Sequence, residues 1–210
     1  MYLETELKSN RNKRKLVFGC GVNDWKYRSY FNGKPVWQYR LWSGMLERSC
    51  CNKFKLREPS YSDVSCDERW LSLSNFIEDV ICIENYSKFY TDGWHFDKDL
   101  LVKGNKKYSI SNVCFVPNEI NTLLTKSNAS RGDAYIGVHF NKRQGKYTAS
   151  VANGVGKKIY LGVFDNPKSA FYAYKIEKER VIKMVASEWR GIISENVYTA
   201  LMNYEVEIHD

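Results

Sequence analysis

The chain reads as an α+β protein, a helical and ββα-like core followed by a three-stranded antiparallel sheet packed on one helix. Three observations predict this. Apolar residues recur at spacings of three and four over Gln38–Cys50 and again from Leu73 to Ile83, the pattern of amphipathic helices. Three short segments between Ile136 and Val163 alternate apolar and polar residues and are separated by glycine turns, the pattern of strands joined as hairpins. A helical stripe follows the last of them. With 210 residues, 43% hydrophobic and 27% charged, the chain can bury one large core or two small ones. Collagenous, disulfide-knot and wholly disordered classes are excluded.

The first 16 residues are polar and basic, with Lys8, Arg11, Lys13, Arg14 and Lys15 against Glu4 and Glu6. Such an arm is expected to be disordered when free, and to serve either DNA phosphates or solubility. In the first helix Tyr39, Trp42, Met45 and Leu46 share one face. Lys53–Glu68 holds Pro59 and several serines and is expected to be loop. The second helix presents Leu73, Phe76, Ile77 and Val80. A glycine-containing loop then leads to Trp94 and a compact stretch ending near Leu124. The small and polar run Lys126–Asp133 marks a boundary, so the domains expected are an arm at 1–16, a core at 17–126, a sheet domain at 133–190 and a helical extension at 191–210.

In the sheet, Ile136, Val138 and Phe140 alternate with Gly137, His139 and Asn141. Tyr147, Ala149 and Val151 alternate with Lys146, Thr148 and Ser150, and Ile159, Leu161 and Val163 with Lys158, Tyr160 and Gly162. Turns fall at Gln144-Gly145 and Asn153–Gly156. Asp165 or Asn166 is positioned to cap the next helix, and Pro167 suits its first turn. Ala170, Phe171, Tyr174, Val181 and Val185 form its apolar stripe, which should cover the Ile/Val/Leu face of the sheet. Ile192–Tyr204 is a further helix candidate, with Val197, Leu201 and Tyr204 on one side.

Lys+Arg 32 against Asp+Glu 24 leaves a charge of +8, which favours polyanionic partners, nucleic acid above all. No apolar run is long enough for a membrane span, and the N-terminus lacks a signal-peptide core, so an intracellular protein without membrane contact is expected. Without export, Cys20, Cys50, Cys51, Cys66, Cys82 and Cys114 are expected to be buried, reduced thiols rather than disulfides. A zinc set of Cys66, Cys82, His95 and Cys114 has irregular ligand spacing and is the weaker alternative.

The open face of the sheet would display His139, Asn141, Lys146, Thr148, Ser150, Lys158 and Tyr160, flanked by Lys142, Arg143 and Lys157 at the turns. A polar, basic face of this size can enter a DNA groove. RNA is a weaker match, because Tyr160 is the one aromatic residue on that face.

Tyr135-Ile136-Gly137-Val138, Gly145-Lys146-Tyr147-Thr148-Ala149, Tyr160-Leu161-Gly162-Val163-Phe164-Asp165 and Ala170-Phe171-Tyr172-Ala173-Tyr174 occur in that order. Together they resemble the plant ethylene-response-type DNA-binding domain over residues 133–178. The resemblance implies a sheet lying in the major groove of double-stranded DNA, with His139, Lys146, Ser150, Lys158 and Tyr160 at its contacts. The family's arginines and strand tryptophan are mostly replaced, so its target sequence does not carry over.

Tyr39–Cys50, Cys66–Phe76, Phe96–Ser109 and Cys114–Asn121 extend the likeness. Over most of the chain the architecture resembles phage-encoded HNH homing-type endonucleases with this DNA-binding domain at the C-terminus, which implies a location in the host cytoplasm. The HNH pattern implies a ββα core around one Mg²⁺ or Mn²⁺ ion, a histidine that activates water and an asparagine that orients it. Its Asp-His pair falls on Asp97-Lys98, its strand asparagine on Asn112 and its helix ligand on Asn121. Asp97 and Asn121 are then the implied metal ligands, and Asp97, Lys98, Asn112 and Asn121 the implied catalytic set. Lysine departs from the pattern, since an unperturbed ammonium with a pKa of about 10.4 cannot take a proton from water near neutral pH. Lys98 would need a lowered pKa, or would bind phosphate instead; His95 is a substitute base and Asp99 a further ligand. Two functions follow: a metal-dependent DNA endonuclease, or a catalytically inactive DNA-binding regulator or counter-defence protein on a degenerate nuclease frame.

Overall fold

The computed structural model describes residues 15–125, 134–153, 156–208 and 210. The basic arm through Arg14, the Lys126–Asp133 boundary, Gly154-Val155 of the second turn and His209 lie outside the described residues. The chain is mixed α and β and divides into two compact units, Met1–Phe115 and Val116–Asp210. Among the described residues no helix is long and apolar enough to cross a membrane.

The first unit opens with a tight turn at Val17–Gly21 and a small hairpin, β1 (Tyr30–Phe31) with β2 (Lys34–Pro35). Helix α1 (Trp37–Cys50) buries Leu41, Trp42, Met45 and Leu46. Helix α3 (Leu73–Val80) buries Leu73, Phe76 and Val80. Ser72 caps α3 by accepting from the Asn75 amide at 3.2 Å, and Asp24 accepts from the Ser74 amide at 2.9 Å. Both caps satisfy orphan donors of the first turn. The helix ends three residues short of the expected Ile83, where Ile81 turns out to solvent. Trp42 and Trp70 fill the core between these elements. The Trp42 indole donates to the Trp70 carbonyl at 2.8 Å, and the Trp70 indole donates to Asp79 at 2.8 Å, so both large rings are buried without an orphaned N–H.

Residues 53–68 are not the loop expected from sequence. They carry helix α2 (Asn52–Arg57), a 3₁₀ turn at Pro59–Tyr61 and strand β3 (Ser65–Cys66). Helix α2 buries none of its residues, so no apolar stripe announces it. It is held from outside by Phe54 on Tyr61, 5.4 Å between centroids, and by Lys55 donating to the Val64 carbonyl at 2.8 Å. Helix α4 (Lys88–Thr91) leads into β4 (His95–Asp97), and β5 (Lys107–Tyr108) pairs in parallel with β3. Strand β6 (Cys114–Val116) pairs with β4.

The second unit holds α5 (Asn118–Leu124) and the sheet of β7 (Val138–Asn141), β8 (Lys146–Ala152) and β9 (Lys158–Phe164), ordered β7-β8-β9 and antiparallel throughout. Helix α6 (Pro167–Glu188) crosses it with Ala170, Phe171, Tyr174, Val181, Ile182 and Val185 buried. The cap is Asn166, which accepts from the Ser169 amide at 2.8 Å, with Pro167 in the first turn. Gly137 is required where the strand enters: its φ is +74°, and a Cβ there would lie 2.0 Å from the Tyr174 ring. Helix α7 (Glu195–Met202) is shorter than the expected Ile192–Tyr204 but buries Val197 and Leu201 as the pattern predicted.

One side chain in this core is unexpected. Lys178 is buried on α6, and its ammonium donates to the Leu123 carbonyl at 2.5 Å. Burial pushes its pKa down from 10.5 to about 8. An unfolded chain therefore holds a proton that the fold rejects across the interval from about 8 to 10.5, so stability rises with pH there. The gain approaches roughly 2–3 kcal/mol. Urea midpoints at pH 7.5 and 10 should diverge more in the wild type than in Lys178→Met; equal pH responses would contradict the burial cost.

Candidate nucleic-acid interface and catalytic loop

The open face of the second unit's sheet follows from strand register. His139 lies opposite Thr148, which lies opposite Val163; Asn141 faces Lys146, Ser150 faces Tyr160, and Ala152 faces Lys158. Val163 corrects the alternation read from the sequence. A register shift at Ala149/Ser150 leaves Leu161 unpaired between Tyr160 and Gly162. One extra residue reverses every side chain beyond it, so Val163 joins the open face, while Gly162 and Phe164 turn toward α6. Phe140 keeps to the α6 side and meets Tyr147 at 5.0 Å, yet is half-exposed.

His139, Lys142, Arg143, Lys146, Lys158 and Tyr160 are exposed, and Ser150 and Thr148 are half-buried. Tyr160 is 63% exposed, free of the core that an aromatic ring in a strand normally fills. Asn141 is consumed by the turn: its Oδ1 accepts from the Arg143 and Gln144 amides at 3.1 and 3.3 Å. This fixes the turn that carries Lys142 and Arg143 at the end of the face. At the other hairpin the Asn153 carboxamide accepts from the Lys157 amide at 3.0 Å. Lys146 is already engaged, with Asp165 at 3.0 Å. That exposed pair is weak in water and competes with any phosphate for the same ammonium.

The residues singled out in the first unit are organised around a loop after β4. Asp97 Oδ1 accepts from the amides of Asp99 and Leu100 at 2.9 and 2.8 Å. Burial pushes the Asp97 carboxyl up to about 6, and the neighbouring Asp99 carboxyl adds to the rise. Two carboxyls so close favour either a shared proton or a cation. Lys98 is only 8% exposed, enclosed by the Tyr61 and Tyr108 rings at 5.9 Å each, with Asp99 3.4 Å from its Nζ. Tyr108 is fixed in turn by Arg48, whose Nε donates to its hydroxyl at 2.8 Å. Burial pushes the Tyr108 hydroxyl up to about 12.

Asn105 was missed in the sequence and is the hub of this loop. Its carboxamide donates to the Lys98 and Lys107 carbonyls at 2.6 and 2.7 Å and accepts from the Lys107 amide at 3.2 Å. It also accepts from Asn112 Nδ2 at 3.3 Å. Lys98 and Asn112, fourteen positions apart in sequence, are thereby tied to one side chain. Nothing in the run Gly104-Asn105-Lys106 distinguishes this asparagine from an ordinary turn residue. His95 is half-buried in β4, and Asn121 is half-buried on α5 of the second unit.

Among the described residues no group of three or more His, Cys, Asp or Glu could hold a metal ion, so Cys66, Cys82, His95 and Cys114 do not form the zinc set considered above. The paired carboxyls of Asp97 and Asp99 offer hard oxygen donors of the kind Mg²⁺ accepts alongside waters and phosphate oxygens. All six cysteines are unbridged, but Cys114 alone is buried; Cys82 is exposed and the others half-buried, which corrects the expectation of buried thiols throughout. Comparison with known families, curated proteins and solved structures finds no match to this chain.

Proposed function

We propose that this chain is a double-stranded DNA-binding protein of the phage HNH type, holding the duplex on the open face of its C-terminal sheet and cleaving it with Mg²⁺ or Mn²⁺. The observation that carries the reading is the exposed row of His139, Lys158 and Tyr160 with Lys142 and Arg143 at the adjoining turn. Cations at the rim suit phosphates, while Ser150, Thr148 and Tyr160 in the middle suit base edges and sugars. In the cleavage step, an ion held by Asp97, with Asp99 as a further ligand, would polarise the scissile phosphate. Lys98 would neutralise phosphate charge rather than abstract a proton, and Asn112 would orient the attacking water.

One observation favours the second reading, an inactive DNA-binding regulator or counter-defence protein. Lys98 stands where a histidine base belongs, and both it and Asn112 are engaged within their own loop. Plasmid nicking in Mg²⁺, Mn²⁺ and EDTA, beside a gel shift on the same DNA, separates the two. Metal-dependent nicking that disappears in Asn112→Ala, with the gel shift kept, is expected. A gel shift without nicking in either metal would leave the regulator, and neither would dismiss both.

A further inference from the structure

The hairpin of β1 and β2 exposes every residue of its two strands, so their side chains add little to the core. It is nonetheless a built element. Asn32 and Gly33 close it with φ of +47° and +75°, both in the left-handed region, as a two-residue turn between twisted strands requires. Tyr30 lies opposite Pro35, and Phe31 opposite Lys34. At the open end the Val36 amide donates to the Ser29 carbonyl at 2.9 Å, and Asn23 Nδ2 donates to the Ser29 hydroxyl at 2.7 Å. The Tyr30 ring rests on Tyr39 of α1, 5.3 Å between centroids. A two-stranded hairpin is marginal by itself, and these contacts hold this one in shape.

Tyr30 and Phe31 are 52% and 53% exposed. Successive strand residues point to opposite faces, so Tyr30 turns toward Tyr39 and Phe31 turns away, beside the tip and across from Lys34. From Trp25 to Leu46 the chain holds Lys26, Arg28, Lys34 and Arg40 and no Asp or Glu, and all four cations are exposed. Among the described residues no ion pair engages Arg28 or Lys34. Exposed rings set among unneutralised cations match a nucleic-acid strand whose bases are unpaired: rings stack on base faces while cations take phosphates. A duplex hides those faces between neighbouring base pairs. The hairpin is also too short to follow a groove, since two residues per strand span only about 7 Å.

We propose that the β1–β2 hairpin is a binding site for single-stranded DNA, with Phe31 and Tyr30 stacking on bases and Lys34 and Arg28 holding phosphates. This is a second nucleic-acid site, in the first unit, and it does not rest on the duplex face of the second unit's sheet. Phe31 is the principal platform, because Tyr30 already has one side against Tyr39. The closed turn favours binding, since a ring fixed beforehand loses little freedom when a base stacks on it. The lack of any acidic side chain along Trp25–Leu46 selects a polyanion over an ordinary protein surface. Stacking uses the π-face common to every base, so the site should accept a strand without regard to its sequence.

The test follows fluorescence anisotropy of a labelled oligothymidylate of about 12 nucleotides with the full chain, beside an abasic strand of equal length and a duplex gel shift. Oligothymidylate should bind about tenfold or more tighter than the abasic strand, which keeps the phosphates but has no bases to stack. Phe31→Ala should weaken it about 5- to 100-fold, and Phe31→Trp should restore it. Neither variant should move the duplex gel shift or the thermal midpoint, because Phe31 is exposed. Arg28→Ala with Lys34→Ala should make the salt slope for oligothymidylate shallower by about 1.4. Equal affinity for the abasic strand, wild-type affinity in Phe31→Ala, or an equal loss of duplex binding in that variant would each overturn the proposal. The abasic comparison uses the wild type and decides even if a variant folds poorly. A missing duplex gel shift with oligothymidylate still bound would count against the sheet's duplex face alone and leave the hairpin site standing.

Discussion

Replacing Lys142, Arg143 and Lys158 together with alanine is expected to weaken binding to duplex DNA about 100- to 1,000-fold at 0.1 M salt, if each neutralises one phosphate. The magnitude follows from counterion release, which gives each contact a slope of about 0.9 in log affinity against log salt, or nearly one decade at 0.1 M. The slope itself should become shallower by about 2.7. All three side chains are exposed, so the thermal midpoint should move little. Lys146 is left out of the set deliberately. Its ammonium is paired with Asp165 at 3.0 Å, so Lys146→Ala should lose less than a free cation would, and Asp165→Asn should tighten binding by releasing it. A triple variant with unchanged affinity and salt slope would place DNA elsewhere on the molecule, or nowhere.

How much of this was legible depends on how local its cause is. The sheet was readable because alternation and turn residues are carried by neighbouring positions, and Asn166-Pro167 announces α6 in the same way. The reversal at Val163 was not, since a bulge adds one residue to β9 only in relation to β8, and a single strand carries no record of its partner's register. Helix α2 escaped because it buries none of its residues fully, and periodicity reports burial rather than helicity. The candidate catalytic loop divides in the same manner. Asp97, Lys98 and Asn112 were found through a resemblance, but Asn105, which holds two of them, bonds mainly to backbone carbonyls that any sequence supplies.

Asp97→Asn is expected to abolish metal-dependent cleavage, by at least about 100-fold, while leaving the fold as stable as before or more so. Asparagine keeps a carbonyl oxygen where Oδ1 now accepts the Asp99 and Leu100 amides, so the turn after β4 survives. What disappears is a half-buried negative charge beside a second carboxyl, which is disfavoured because desolvation and Asp99 both raise the Asp97 pKa. A residue kept only for structure has no reason to retain such a charge, because a neutral amide of the same shape makes the same hydrogen bonds without the desolvation cost. Under the proposed cleavage, a carboxylate whose charge its surroundings disfavour is a group that a bound ion would neutralise. The measurement pairs a thermal melt at pH 7 with plasmid nicking in Mg²⁺ and Mn²⁺. An unchanged or higher melting point with lost nicking would fit a ligand to the ion. Full nicking in Asp97→Asn would remove Asp97 from the reaction, and a markedly lower melting point would mean that the charge is stabilised in the fold after all.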